Sequence, residues 1–210
     1  MVSQSVNVCK DRRAVWEDRS VPADVTLRTR RLLIRRFRPE DCAALAGYRS
    51  DPDVARYQSW TTPVSTEEAS ELVRTLQAGD PARPGWFQYA IEADGGLIGD
   101  VGVNRHDNGR QAEIGFTLAK PWWRRGYAHE AVSRVLEQLF AVDGLHRVCA
   151  ECDARNQASA RLLDRLGFRR EGLRREHTFV KGEWTDDLLF GLLDEEWLGS
   201  PHRTTDTGPA

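Results

Sequence analysis

Seven apolar residues, Ala128, Ala131, Val132, Val135, Leu136, Leu139 and Phe140, recur at i, i+3, i+4, i+7, i+8, i+11 and i+12. That spacing lays one continuous apolar stripe along an α-helix. Such a helix must bury its stripe against another layer of structure. What precedes it says which layer. Gln111–Leu118 reads as a strand, with Ala112, Ile114, Phe116 and Leu118 on one side and Glu113, Gly115 and Thr117 on the other. Between strand and helix lies Trp122-Trp123-Arg124-Arg125-Gly126-Tyr127, a short basic turn containing a glycine. The first N–H groups of a helix have no intrahelical partners, and the helix dipole favours negative charge there. A strand, a basic glycine turn and a helix in this order make an anion site, suited to a phosphate-bearing ligand.

The flanking sequence supplies the remaining elements. Residues 32–37 read as a first strand, with order starting near Leu27 or Leu32, and Pro39-Glu40-Asp41 opens a helix running to about Tyr48. Residues 51–57 suit a short helix or turn. Ser65-Thr66-Glu67-Glu68 is a capping box before Ala69, Leu72, Val73 and Leu76, which predicts a helix ending near Ala78. Residues 86–92 and 97–103 read as strands joined by Asp94-Gly95-Gly96, and residues 106–109 as the next turn. Asp143-Gly144 ends the periodic helix. A strand follows over 146–152, then a helix over 156–166 closed by Gly167-Phe168. Residues 169–174 and 184–192 are the last strands, with Lys181-Gly182 turning between them. The expected fold is α/β (α+β): a mixed, mostly antiparallel central sheet of about seven strands flanked by helices. Residues 1–24 are polar and aperiodic and read as an ill-ordered extension; residues 199–210 read as a flexible tail, leaving one domain over 25–198.

Composition narrows the function classes. A net charge of −2 over 210 residues gives no global attraction to nucleic acid or an anionic membrane. No apolar run approaches the roughly 18 residues of a spanning helix. Lys10-Asp11-Arg12-Arg13 occupies the place a secretory signal core would need, so a cytoplasmic location is expected. Of the four cysteines, Cys9, Cys42, Cys149 and Cys152, the last two match C-x-x-C. On a strand, positions three apart face opposite sides, so buried unpaired thiols are the preferred reading over a redox or metal pair. The histidines His106, His129, His146, His177 and His202 show no metal-ligand spacing, and no metal is expected.

Taken together, Glu113-Ile114-Gly115-Phe116, Trp123-Arg124-Arg125-Gly126-Tyr127-Ala128, Asn156-Gln157-Ala158-Ser159 and Leu166-Gly167-Phe168 resemble the GNAT N-acyltransferase superfamily. The chain looks most like the branch that contains the ribosomal-protein-alanine N-acetyltransferases. Leu27-Arg28-Thr29-Arg30-Arg31-Leu32 and Lys181-Gly182-Glu183-Trp184 add to the likeness, which covers about 27–197. The resemblance implies acetyl-CoA as cosubstrate. Its pyrophosphate would meet the family pattern Q/R-x-x-G-x-G/A, here Trp123, Arg124, Arg125, Gly126, Tyr127 and Ala128. Gly126 and Ala128 match and Trp123 departs, but backbone N–H groups do the binding, and small residues let the anion approach. Arg124 and Arg125 would add charge or form a solvated basic turn. The pantetheine arm would lie against the open backbone of Phe116, Thr117 and Leu118, where the strands over 111–118 and 146–152 splay apart. Asn156 would contact the cofactor, cap the following helix, or both.

The reaction so implied is attack of an amine on a thioester, directly in a ternary complex, since no cysteine is placed as an acyl carrier. Glu113 corresponds to family carboxylates that act as base, often through water; pairing with a nearby arginine is the competing reading. The tyrosine that serves as acid in much of the superfamily falls at Leu163. The ribosomal-protein branch places a serine three residues after the asparagine, here Ser159, facing the thioester; an ordinary helix-surface serine is the alternative. The implied partner is an amine acceptor, either a protein N-terminus or a small molecule. Neither nucleic acid nor membrane is expected, and the family admits a homodimer. Residues 51–85 and 178–184 would build the acceptor side, with Glu67, Glu68 and Asp80 as attractors for a cationic amine. Leu163 keeps a non-catalytic, CoA-binding regulatory domain as the alternative.

Overall fold

The computed structural model describes residues 25–200. The segment read as ill-ordered, with Cys9, and the tail beyond Ser200, with His202, lie outside the described residues. Eight strands form one sheet: β1 Leu27–Arg28, β2 Leu33–Arg35, β3 Gly85–Ala93, β4 Gly96–Arg105, β5 Gln111–Leu118, β6 Arg147–Asp153, β7 Arg169–Val180 and β8 Glu183–Leu193. Their order is β1-β2-β3-β4-β5-β6-β8-β7. Every neighbouring pair is antiparallel except β5 and β6. The helices are α1 Cys42–Ser50, α2 Pro52–Ala55, α3 Thr66–Ala78, α4 Tyr127–Glu137, α5 Gln157–Arg165 and α6 Asp194–Leu198.

The mixed, mostly antiparallel sheet is the one expected, with eight strands in place of about seven. The additional strand, β1, has two residues, too few to show a period of two. β7 extends to Val180, past the expected end at Arg174, through Arg175, Glu176 and His177. Those residues carry no apolar alternation because β7 is an edge strand exposed along nearly its whole length, and charge on such an edge discourages pairing with another chain.

Helix α4 packs its stripe onto the sheet as its periodicity dictates. Ala131, Val132, Val135, Leu136 and Leu139 share a core with Val101, Val103, Ile114, Val148, Ala150, Phe190 and Leu192. The stripe is not a single α-helix, however. Gln138–Val142 widens into a π-turn, which keeps Leu139 and Phe140 buried and leaves Val142 exposed. The wider turn brings the Asp143 carboxylate to Arg105, with which it forms an ion pair, and to Gln138 Nε2 at 3.0 Å. On the other sheet face a second cluster joins Phe37, Leu45, Tyr48, Val54, Ala69, Val73, Ala90 and Leu97 under α1 and α3. The capping box starts α3 as expected: Ser65 Oγ accepts from the Glu68 N–H, and Glu68 accepts from the Ser65 N–H at 2.8 Å. The β3–β4 hairpin turns at Asp94 (φ 49°) and Gly95 (φ 78°), the left-handed pair that a tight two-residue turn needs.

A buried polar tie fixes α1 to the sheet. The Tyr48 hydroxyl donates to Asp100 Oδ2, and Gln88 Nε2 donates to Asp100 Oδ1 at 2.5 Å. Asp100 has no exposed surface, and burial pushes its carboxyl up from the ordinary range. A buried acceptor stripped of a donor is costly. Tyr48→Phe should therefore lower stability by about 1–3 kcal/mol, seen as a lower urea midpoint at unchanged slope. An unchanged midpoint would contradict the tie.

Candidate active site

The parallel strands β5 and β6 pair only at Gln111↔Arg147, Ala112↔Val148 and Glu113↔Cys149. From Ile114 onward β5 is held by β4 alone, and from Ala150 onward β6 is held by β8 alone. The strands therefore enclose a wedge. Its apex is the Glu113–Cys149 pair, and its walls are two strand edges whose backbone donors and acceptors have no strand partner across the gap. An extended chain could enter it as an added strand.

At the wide end, β5 passes through the turn Lys120–Trp122 into the glycine loop and α4. Gly126 caps α4 in the left-handed region, at φ 83°, and Arg124 is left-handed too, at φ 58°. No side chain caps this helix; its first backbone bond runs from the Glu130 N–H to the Gly126 oxygen at 3.0 Å. The first N–H groups of α4 precede that bond and lie where the dipole is positive. Arg124 and Arg125 are exposed, the latter with its guanidinium carbon 5.5 Å from the Trp122 ring centre. Trp123 Nε1 donates to the Leu118 oxygen at 2.6 Å, so this carbonyl, expected to be open, already has a partner.

The loop is braced from behind by residues whose role sequence reasoning missed. Arg31, between β1 and β2, donates through Nη1 to the Arg125 oxygen at 3.1 Å and through Nε to Glu130 Oε2 at 2.7 Å. Its guanidinium lies 4.2 Å from the centre of the Tyr127 ring. Glu130 also accepts from Thr29 Oγ1 at 2.6 Å and from the Arg31 N–H at 3.1 Å. Partial burial works against the ionised Glu130, but the hydrogen bonds from Thr29 and Arg31 prevail and hold it below its usual range. The one local signal was an acid in the first turn of α4; its partners lie about a hundred residues away.

Across the wedge, β6 leads into α5. Asn156 caps that helix, its Oδ1 accepting from the Ser159 N–H at 3.2 Å. The capping reading therefore stands, and the Asn156 amide NH₂ is a separate donor. Ser159 is half-buried in the first turn of α5. Leu163 is 1% exposed and belongs to the core, so that position offers no proton to the wedge. Arg155 joins Asp153 at 2.6 Å and Glu183 at 2.9 Å, linking the approach to α5 to the β7–β8 hairpin. Lys181 Nζ, at the hairpin tip, donates to the Ala55 oxygen at 2.5 Å, which closes the hairpin against α2.

Glu113 stands at the apex, opposite Asn104 on β4 and Cys149 on β6. Burial first, and then the charge of Glu151, push its carboxyl above the ordinary range, while Asn104, His106 and Arg174 pull it back. Among the described residues no ion pair to Glu113 occurs, which disfavours the arginine-pairing reading. The next residue on this face, Gly115, fronts open space: a Cβ there would meet nothing within 4 Å. Cys149 and Cys152 are free; burial raises both thiols, helped at Cys149 by Glu113, and takes Cys152 to about 11. Neither is a ready thiolate. Two expected acceptor attractors are engaged elsewhere: Glu68 in the α3 cap, and Asp80 with Arg83 at 3.1 Å. No helix among the described residues is long and apolar enough to cross a membrane.

A helix start of positive dipole, a strand-like slot and a carboxylate at its apex suit a long phosphate-bearing cosubstrate delivering a reactive group to the apex. Known proteins resemble this chain in sequence and fold. A family model described as an acetyltransferase (GNAT) domain matches residues 31–169. The uncharacterized N-acetyltransferase p20 of Bacillus licheniformis is 34% identical over 180 residues, 83% of this chain and 99% of that protein. The [ribosomal protein uS5]-alanine N-acetyltransferase of Escherichia coli is 29% identical over 84 residues, 40% of this chain and 43% of that one. The structure of Mycobacterium smegmatis RimJ, in complex with CoA-disulfide, superposes with a TM-score of 0.72 at 27% identity, over 82% of this chain and 88% of that one. The matched span runs from Arg31, which braces the loop, to Arg169 at the start of β7, and so takes in the wedge, the glycine loop and the apex carboxylate: the chain belongs to the GNAT acetyltransferase family.

Proposed function

We propose that this protein transfers an acetyl group from acetyl-CoA to a primary amine by direct attack within a ternary complex. The observation that carries the reading is the parting of β5 and β6 at Glu113, with an uncapped helix start at the wide end. In this reading the pyrophosphate sits on the backbone of 124–129 and the pantetheine arm lies between the strand edges. The N–H groups of Tyr127, Ala128 and His129 bind the anion, Arg124 and Arg125 add charge, and Trp123 holds the loop to the end of β5. Phe116, Thr117 and Leu118 line one wall and Asn156 the other. The thioester carbon then comes to rest near Gly115, where the floor has no side chain.

Glu113 accepts a proton from the acceptor nitrogen, directly or through water. A carboxylate with a raised pKa keeps that proton more readily at neutral pH. Ser159, at the start of α5, donates to the departing sulfur in this scheme; with Leu163 in the core, water is the other source. The raised thiols argue for direct attack over an acyl-cysteine intermediate. The acceptor is a protein N-terminal amine or a small-molecule amine, met in the cytoplasm. A purely regulatory CoA-binding role would rest on Leu163 alone, and it leaves without a purpose a half-buried Glu113 whose carboxyl is raised above the ordinary range.

Two sets of variants test the assignments, with thiol release from acetyl-CoA over a panel of amines as the assay. Glu113→Gln should lower kcat roughly 10²–10⁴-fold and remove the contribution of Glu113 to the acid limb of the pH profile. In the wild type that limb lies above the ordinary carboxylate range, because activity falls as Glu113 takes up its proton. Glu151→Gln removes a neighbouring negative charge and should move the limb to lower pH. A profile unchanged in Glu113→Gln removes this residue as base. Arg31→Ala should raise KM for acetyl-CoA roughly tenfold, about 1.4 kcal/mol, with little change in kcat. An equal fall in kcat at constant KM would contradict a bracing role for Arg31.

A further inference from the structure

Between Arg174 and Thr178 β7 places three residues, Arg175, Glu176 and His177, where β8 places one, Asp186, between Asp187 and Thr185. Within this bulge Glu176 is left-handed, at φ 46°, and its N–H donates to Asp186 Oδ1 at 2.8 Å. A bulge re-aims side chains and is frequent beside active sites, and a non-glycine residue held in this region is an observed strain that calls for a purpose. Here the bulge swings His177 over β8. His177 Nδ1 lies 3.0 Å from Asp187 Oδ2, and Thr178 Oγ1 donates to the same oxygen at 2.6 Å. Asp187 is 7% exposed, whereas His177 is open to solvent. An ionised carboxylate only accepts, so Nδ1 carries the hydrogen in this contact, and in the neutral ring Nε2 is the remaining acceptor. Glu151, on the neighbouring β6, completes the group: one polar atom each from Glu151, His177 and Asp187 lie within 4.8 Å of one another. Glu151 stands two residues along β6 from Cys149, the partner of Glu113 across the apex. A row of proton-accepting groups thus runs across the sheet from the apex to the solvent-exposed edge.

We propose that His177, aimed by the β7 bulge and held by Asp187, is a second proton acceptor of the acceptor site, taking the first proton from the incoming ammonium group. The assignment rests on the acetyl-transfer reading above. Its chemistry balances as R–NH₃⁺ plus acetyl-S-CoA giving R–NH–acetyl, HS-CoA and H⁺. Two protons leave nitrogen. The first N–H bond breaks as an Nε2–H bond forms on His177, and that proton passes to bulk water. The free amine attacks the thioester carbon, the C–N bond forms and the C–S bond breaks. The second proton goes to Glu113, the departing sulfur takes a proton from Ser159, and Glu113 returns its proton through water to Ser159. Two acceptors let each proton have its own destination, so Glu113 need not empty in mid-reaction. The charged and titratable groups beside His177 are Arg174 and Glu176 on β7, Asp186 and Asp187 on β8, and on β6 Asp153, opposite Asp187, and Glu151, which pairs with Arg174 at 2.9 Å.

The test compares full-length wild type with His177→Gln on an amine that the wild type acetylates, across pH. His177→Gln should lose roughly 10²-fold in kcat/KM at neutral pH, and the gap should close above the pKa of the acceptor amine, where no first proton remains to be removed. Its melting temperature and its affinity for coenzyme A should match the wild type. Added imidazole should restore activity to His177→Ala. A loss of equal size at every pH, no loss at all, or no rescue by imidazole overturns the assignment. Activity abolished by a chelator and restored by zinc also overturns it, making Glu151, His177 and Asp187 metal ligands instead. A wild type that acetylates no amine overturns the proposed function itself, and with it this inference.

Discussion

Beyond Glu113 and Cys149, β5 and β6 stop exchanging hydrogen bonds and diverge, each held by its outer neighbour. A sheet that opens in its middle exposes two strand edges inside the molecule, an arrangement that must be supported from both sides. β6 is backed along its full length by β8. β5 is backed by β4 to its last residue, where Gly99 faces Leu118 and a Cβ on Gly99 would collide with the Thr117 carbonyl oxygen. The missing side chain lets β5 lie tight against β4 at the end that peels away from β6. Helices α4 and α5 then start from the two diverging strand ends, so one parting of strands sets the slot and aims both helix starts.

Charge is divided along that slot in a chain whose net charge is only −2. The wide end holds Arg31, Arg124, Arg125 and the positive end of α4. The apex side holds Glu113 and, two residues along β6 from Cys149, Glu151. Arg31 and Glu130 form a half-buried pair spent on holding the glycine loop, so the loop need not be ordered by its ligand. Glu113 lies where burial and a like charge both favour its protonated form. An anion is thus favoured at one end and a proton acceptor at the other, in the order that a phosphate-bearing thioester and an amine require.

Local features were legible in the sequence. The stripe of α4, the Ser65–Glu68 box, the Asp94-Gly95 turn and the Gly126 turn each depend on residues within a few positions of one another. The position of Glu113 on the less apolar side of β5 was legible from alternation alone. What escaped were pairings between distant segments. Arg31 and Glu130 meet across 99 positions. The π-turn after α4 answers to Arg105, on another strand. β7 beyond Arg174 shows no alternation because an edge strand in water needs none, and its bulge brings His177 to Asp187 without a local signature. Glu68 shows the converse: the cap that made α3 legible also consumes the carboxylate that was read as an acceptor attractor.

Coenzyme A is proposed to enter the gap between β5 and β6 as an added strand. Amide hydrogen exchange with and without acetyl-CoA measures this most directly. Bound acetyl-CoA should slow exchange at gap-facing amides of 114–118 and 150–153 and at the start of α4, residues 127–129, while β7 exchanges as before. Protection confined to β7 or to the surface of α3, with none along the two edges of the gap, would contradict it.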